Sequence, residues 1–311
     1  MRIIAGDIGG TKTLLRCVEE DGTTSAERRF ESGAYSTFDQ LLGEFLQFCS
    51  TPVDAACFAV AGPVLGEKAT VTNVGWTLEA AALQEAHQIA RVALINDFYA
   101  IALGVPVLPE SDLFPLQVAE RDRNAPLAIL GAGTGLGQAY VHNVKNEWHV
   151  ISSEGGHGDF APQDEEQTKL LLHLLKEHDH VSWERVCSGM GLENIHTFLG
   201  GSPADPAEIA QRAESGDATA LRTIGMFVDI YGAEAGNMGL SVLARGGVYL
   251  AGGIAAKNVQ WFTDGRFVAA FRRKGRFAAL MATIPVFLIS NEQVGLLGAV
   301  EGARRVAAGE R

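Results

Sequence analysis

Asn96 and Asp97 close a short apolar stretch, residues 92–95. A carboxylate at the end of a buried strand is well placed to act as a general base. The same pair also suits an N-cap for a helix over residues 98–103. Ser153-Glu154-Gly155-Gly156-His157 gathers a carboxylate and an imidazole around two glycines. Such a group would ring a polyol with hydrogen-bond partners, or form a glycine-rich turn with incidental polar residues. Glu184 precedes Arg185-Val186-Cys187-Ser188-Gly189-Met190-Gly191, and alone it reads as a surface helix residue.

Two glycine/threonine segments, GDIGGTK (6–12) and GAGTGLG (131–137), each lie between apolar stretches that read as strands. A turn of this composition presents backbone N–H groups and a hydroxyl to one point, and its glycines let phosphate oxygens approach the chain. One such turn is as readily a plain hairpin; two, each heading a domain, would clamp a polyphosphate. Asp7 adds a carboxylate suited to the hydration shell of Mg²⁺, or to capping its own turn. Gly252-Gly253-Ile254 follows the apolar residues 248–251 and would form a backbone wall for a planar ligand or a strand-to-helix turn. The first segment lacks the GxxxxGK[ST] spacing and leads into a strand, so it is no Walker A loop. The second carries glycine spacing like a dinucleotide fingerprint but is also followed by a strand-like run.

The elements that must position these residues follow from periodicity. Strands are predicted at residues 2–5, 13–20, 55–61, 92–95, 127–130, 138–143, 247–251 and 286–289, with turns at 6–12 and 131–137. Helices are predicted at 38–48, where Phe38, Leu41, Leu42, Phe45 and Phe48 recur at helical spacing, and at 78–90, 165–178, 218–243 and 293–307. Residues 108–126 read as loops at a domain change. Strand, Gly/Thr hairpin and strand occur twice, as a weak internal repeat. Alternating strands and helices indicate α/β architecture.

Length and composition bound the function. The 311 residues suit about two domains. A net charge of −12 and the lack of a basic patch argue against a nucleic-acid partner. No apolar run approaches the roughly 18 residues that a membrane helix needs, and no signal-peptide pattern opens the chain. Cys17, Cys49, Cys57 and Cys187 are widely spaced without a CxxC pair, which suits a reducing cytoplasm, with Cys17 and Cys57 as small core residues in strands.

The motifs GDIGGTK (6–12), INDFYAIALG (95–104), GAGTGLG (131–137), EGGHGDFAP (154–162), WERVCSGMGL (183–192), AGGI (251–254) and GLLGA (295–299) together resemble the bacterial glucokinases of the hexokinase–actin superfamily. The resemblance is to the group distinct from the repressor–kinase (ROK) sugar kinases. It covers nearly the whole chain, in order. It implies a two-domain actin-like ATPase fold, of ribonuclease H type, around a cleft. The expected division is a small α/β domain at 1–107 plus 290–311 and a larger α+β domain at 108–289. It further implies ATP-dependent phosphorylation of glucose to glucose 6-phosphate in a cytoplasmic homodimer using Mg²⁺.

By the same resemblance, Asn96, Asp97, Glu154, His157 and Glu184 contact glucose, with Asp97 as the base. Gly6, Asp7, Ile8, Gly9, Gly10 and Thr11 form one nucleotide loop; Gly133, Thr134 and Gly135 form the other. Gly252 and Gly253 take the adenosine side, and Asp7 meets the metal through water. Lys12, Ser153 and Met190 depart from the family's common residues. The alternatives are a kinase of mannose, fructose or an amino sugar, and a sugar sensor without catalysis, against which Asp97 argues. Glucose is expected to close the two domains, with residues 103–109 and 290–292 as hinges. Small-angle scattering should show a smaller radius of gyration on adding glucose to the wild type and little change in Glu154→Ala. An unchanged wild-type profile at saturation would reject closure.

Overall fold

A computed structural model describes residues 1–50, 52–71 and 73–309. The chain divides into two compact units, residues 1–109 with the chain from Gln293 onward, and Glu110–Glu292.

The first unit contains strands β1 (Ile3–Ile8), β2 (Lys12–Val18), β3 (Thr24–Glu31), β4 (Ala55–Val60), β5 (Val64–Leu65), β6 (Lys68–Val71), β7 (Trp76–Glu79) and β8 (Val92–Asn96). Its helices are α1 (Phe38–Leu46), α2 (Ala80–His87), α3 (Asp97–Gly104) and the C-terminal α11 (Val294–Ala308). A five-stranded sheet runs β3-β2-β1-β4-β8, and β5-β6-β7 form a small second sheet. Side chains alternate across β1. Ile4 and Ile8 enter the core beneath α1, whereas Ile3 and Ala5 pack with Ala100, Leu296 and Ala299 of α3 and α11. Asp7 shares the alternation of Ile3 and Ala5.

The second unit contains β9 (Leu113–Gln117), β10 (Leu127–Ala132), β11 (Leu136–Val144), β12 (Glu147–Ser153), β13 (Gly247–Ala251) and β14 (Val286–Ile289). Its helices are α4 (Glu165–Leu174), α5 (Gly189–Phe198), α6 (Pro206–Glu214), α7 (Ala218–Ser241), α8 (Gly253–Lys257), α9 (Arg266–Arg272) and α10 (Ala278–Met281). The sheet order is β12-β11-β10-β13-β14-β9. In each unit a three-stranded antiparallel meander continues through two parallel strands, so the repeated hairpin heads a repeated sheet.

Several expectations are corrected. The turn at 6–12 is shorter, because Gly6, Asp7 and Ile8 pair with Leu15, Leu14 and Thr13 on one side and Phe58, Ala59 and Val60 on the other. Gly131 and Ala132 likewise belong to β10, between β11 and β13. The helix expected at 78–90 yields its start to β7, where Leu78 pairs with Ala69, and stops before Gln88, whose φ of 55° is left-handed. The loop expected at 108–126 contains β9, an edge strand on which Pro115 needs no ladder donor. The helix expected at 165–178 ends at Leu174.

Helices α3 and α11 approach backbone to backbone. A Cβ on Gly298 would overlap the Ala100 carbonyl, and one on Gly104 would overlap the Val294 carbonyl. Gly298→Ala should therefore destabilise the protein by about 1–3 kcal/mol or more. Gly33→Ala, which meets nothing within 4 Å, should be nearly neutral. Paired thermal melts check this, and equal melting temperatures would refute the packing argument.

Candidate active site

In the first unit, Asn96 ends β8 and caps α3: its Oδ1 accepts from the N–H groups of Phe98 and Tyr99 at 2.9 and 3.2 Å. Both readings of this pair therefore meet. The cap is taken by Asn96, and Asp97 begins the helix with Oδ1 accepting from the adjacent Phe98 N–H, at 2.8 Å. Asn96 Nδ2 donates to the Gly62 carbonyl at 3.3 Å, which fixes the strand end.

Asp7 lies near Asp97. Burial, reinforced by the Asp97 charge, pushes the Asp7 carboxyl up to about 6. Burial also raises Asp97 above the usual carboxylate range, opposed by the Phe98 N–H. No ion pair to either carboxylate is formed among the described residues. The Gly9–Thr11 turn follows directly, closed by Gly9 N–H to Lys12 O at 3.0 Å. Gly6 and Ile8 sit within the strand instead. A Cβ at Gly6 would press on Leu15 and Phe58, and Ile8 is fully buried, so these two offer only backbone to a ligand.

In the second unit, Gly133-Thr134-Gly135 forms the β10–β11 turn, with Gly133 N–H donating to Gly135 O at 2.9 Å. Glu154, His157 and Glu184 come together beside it. His157 Nε2 lies 3.8 Å from Glu154 Oε2, and its Nδ1 lies 3.9 Å from Glu184 Oε1. The Glu154 side chain is 92% exposed and free to meet a ligand, whereas Glu184 is only 22% exposed. The expectation of a surface helix for Glu184 is corrected: it sits in a turn before α5, with its Oε2 accepting from Leu136 N–H at 2.9 Å. Its own N–H donates to Gly156 O at 2.8 Å. A Cβ at Gly135 would overlap Glu184 Oε2, so a side chain there would displace that carboxylate from Leu136.

A cavity of about 810 Å³ opens from this turn. Gly133, Thr134, Gly189 and Gly253 line one part of it; Met190, Pro206, Ala207, Ala210, Ile254 and Trp261 supply apolar wall, and Asn258 a polar group. Gly189 N–H donates to Gly133 O at 2.8 Å and so ties the start of α5 to the turn. Gly252 has φ 86° and no room for a Cβ against the Ala132 backbone, so the strand-to-helix turn requires glycine. Gly253 and Ile254 answer the sequence reading of a wall for a planar ligand; Met190, Pro206, Ala207, Ala210 and Trp261 were missed, because they come from α5, α6 and the segment after α8 without a shared motif.

A sheet repeated in each unit, glycine turns at the heads of both, and a carboxylate–imidazole cluster beside an apolar cavity define a sugar kinase of the two-domain actin-like ATPase fold. The Glucokinase family profile matches residues 4–306. A glucokinase of Nostoc punctiforme is 39% identical, over 98% of this chain and 99% of that one. The crystal structure of glucokinase from an Antarctic psychrotroph superposes with a TM-score of 0.90 at 29% identity, covering 98% of this chain and 99% of that one. Glucokinase from Balamuthia mandrillaris in complex with glucose shares the fold, with a TM-score of 0.81 at 22% identity over 97% and 93% of the two chains. The chain belongs to the glucokinase family.

The raised Asp7 value sets a pH dependence. Between its ordinary 3.8 and about 6, the folded state holds a proton that the unfolded chain has released. Stability from this residue is therefore complete below about pH 4 and is lost as pH rises through about 6. Asp7→Asn removes the buried charge and should stabilise the ligand-free protein at pH 8 by about 1–3 kcal/mol. At pH 4 the gain should vanish. Urea unfolding at both pH values measures it, and an equal effect at both would exclude Asp7 titration.

Proposed function

We propose that Asp97 accepts the proton of the glucose 6-hydroxyl as that oxygen attacks the γ-phosphorus of ATP, while Asn96, Glu154, His157 and Glu184 hold the sugar. Phosphorylation of glucose with ATP is the activity of the family to which the chain belongs. The observation that carries the residue roles is the double engagement of Glu184. One carboxylate oxygen faces His157 and the other accepts from Leu136, the first residue after the Gly133–Gly135 turn, so sugar and nucleotide groups would share one anchor.

Phosphoryl transfer needs positioning and charge stabilisation more than covalent help. The backbone N–H groups of Gly9–Thr11 and Gly133–Gly135 serve the phosphates. Gly6 and Ile8 hold the first turn in the sheet. The cavity next to Gly133 and Gly253 has the size and apolar wall to receive a nucleoside, with Gly252 shaping its edge. Raised by burial, Asp97 is a better proton acceptor than an exposed aspartate.

Asp7 fits a Mg²⁺ bound through water. It is a largely buried carboxylate beside a second one, and a hydrated cation shared with nucleotide phosphates would relieve that repulsion. Among the described residues no group of three or more His, Cys, Asp or Glu side chains is placed to hold a metal ion. When bound, Mg²⁺ offsets charge on the phosphates. A cytoplasmic homodimer is part of the same proposal, supported by the family resemblance and by four free thiols. No helix among the described residues is long and apolar enough to cross a membrane.

Asp97→Asn should lower kcat by about 10²–10⁴-fold and spare glucose binding, because the amide keeps its shape but takes no proton. Glu184→Ala should weaken glucose by roughly 1.5–3 kcal/mol, the range for a hydrogen bond to a charged group. Coupled ADP release over a panel of hexoses, with calorimetric titration of glucose, measures both. A kcat for Asp97→Asn above about a tenth of wild type would remove it as the base.

A further inference from the structure

Glu234 lies in the middle of α7 with only 5% of its surface exposed, and no step of the reaction uses it. A buried carboxylate is costly unless hydrogen-bonded. Its Oε2 accepts from Asn237 Nδ2 at 2.9 Å and its Oε1 from Gln138 Nε2 at 2.7 Å. Lys274 Nζ donates to Asn237 Oδ1 at 2.6 Å and to Ala233 O at 2.7 Å, so the asparagine amide is oriented as well. Burial raises Glu234 and lowers Lys274, each moderated by the groups around it.

The network has a direction. A carboxylate accepts only, so it selects the NH₂ end of Gln138 and turns the amide oxygen away. Gln138 is 4% exposed, and that oxygen lies against Gly155, where a Cβ would overlap it. The other wall at Gly155 is Ser153 Oγ, which accepts the Gly155 N–H at 3.0 Å. Gly156 is seated on the Leu136 carbonyl, which also leaves no room for a Cβ. Residues 155 and 156 are thus boxed against β11, with Glu154 before them and His157 after.

We propose that Gln138 and Glu234 are positioning residues for the sugar-binding segment 154–157, acting through Gly155. The proposal rests on the reading that Glu154 and His157 contact glucose. An apolar pair would fill the same volume and is often neutral or stabilising in place of buried charge. What it would lack is the oriented amide that limits where Gly155 can sit.

Steady-state kinetics on full-length variants tests this, with Glu154→Ala as the control for the underlying reading. Gln138→Leu and Glu234→Leu should each raise the glucose KM by about tenfold, the scale of one charge-assisted hydrogen bond, and leave the ATP KM within about twofold. Glu234→Gln still offers an oxygen to Gln138 Nε2 and should stay within about twofold of wild type for glucose.

If the leucine variants do not fold, a second set decides. Gly155→Ala should raise the glucose KM in the wild-type background. Combined with Gln138→Ala, it should be no worse than Gln138→Ala alone, because the overlapping oxygen is gone. A folded Gln138→Leu with the wild-type glucose KM would overturn the proposal, as would a Gly155→Ala effect independent of residue 138. An unchanged glucose KM in Glu154→Ala would overturn the reading beneath it, and the proposal with it.

Discussion

Glu184 reaches its place through close approach between backbones that carry no side chain. Gly135 leaves room for the carboxylate, Gly156 supplies the carbonyl that takes the Glu184 N–H, and Leu136 supplies the N–H that the carboxylate accepts. Three stretches far apart in the chain, 133–137, 154–157 and 183–191, meet at this one side chain. A side chain at Gly156 would meet the Leu136 carbonyl, and one at Gly135 would push the Glu184 carboxylate aside. The β10–β11 turn, the Glu154–His157 segment and the start of α5 are thereby tied together, and Gly133, Thr134, Gly189 and Met190 line the apolar cavity.

The first unit is organised by a different constraint, the burial of two like charges. Asp7 reaches the α3–α11 side of the sheet because strand alternation sends Ile4 and Ile8 the other way. Asp97 is held at the start of α3 because Asn96 takes the cap. Neither carboxylate has a cation of the protein beside it among the described residues, and both rise above the usual range. Such an arrangement costs stability and is common where charge chemistry is done. Metal and phosphate chemistry at Asp7, and proton acceptance at Asp97, would each use a charge that the fold leaves uncompensated.

Glu234 anchors a buried polar network in the second unit. Its partner Asn237 sits three residues on along the same helix, a local pairing, but Gln138 belongs to a strand and no local pattern marks it as connected. The bond spans 96 residues of chain. A glutamate among the small and apolar residues 230–236 of α7 was the one available signal.

The sequence by itself determined the chemistry-bearing motifs, their order and the repeated hairpins, because glycine turns and apolar runs are local properties of backbone freedom and side-chain transfer. It also led to the family, since seven motifs in register constrain nearly the whole chain. Strand limits were less legible. Gly6 and Asp7 have turn composition, and only pairing with both β2 and β4 keeps them extended. The edge strand β9, with its proline, likewise exists because β14 offers it a ladder. Tertiary structure alone decided that Glu184 leaves the surface, that Asp7 lies near Asp97, and that Met190, Ala207, Ile254 and Trp261 share a wall. Each depends on contacts between segments distant in sequence, and the energy of such contacts is set by burial and geometry that no local residue pattern contains.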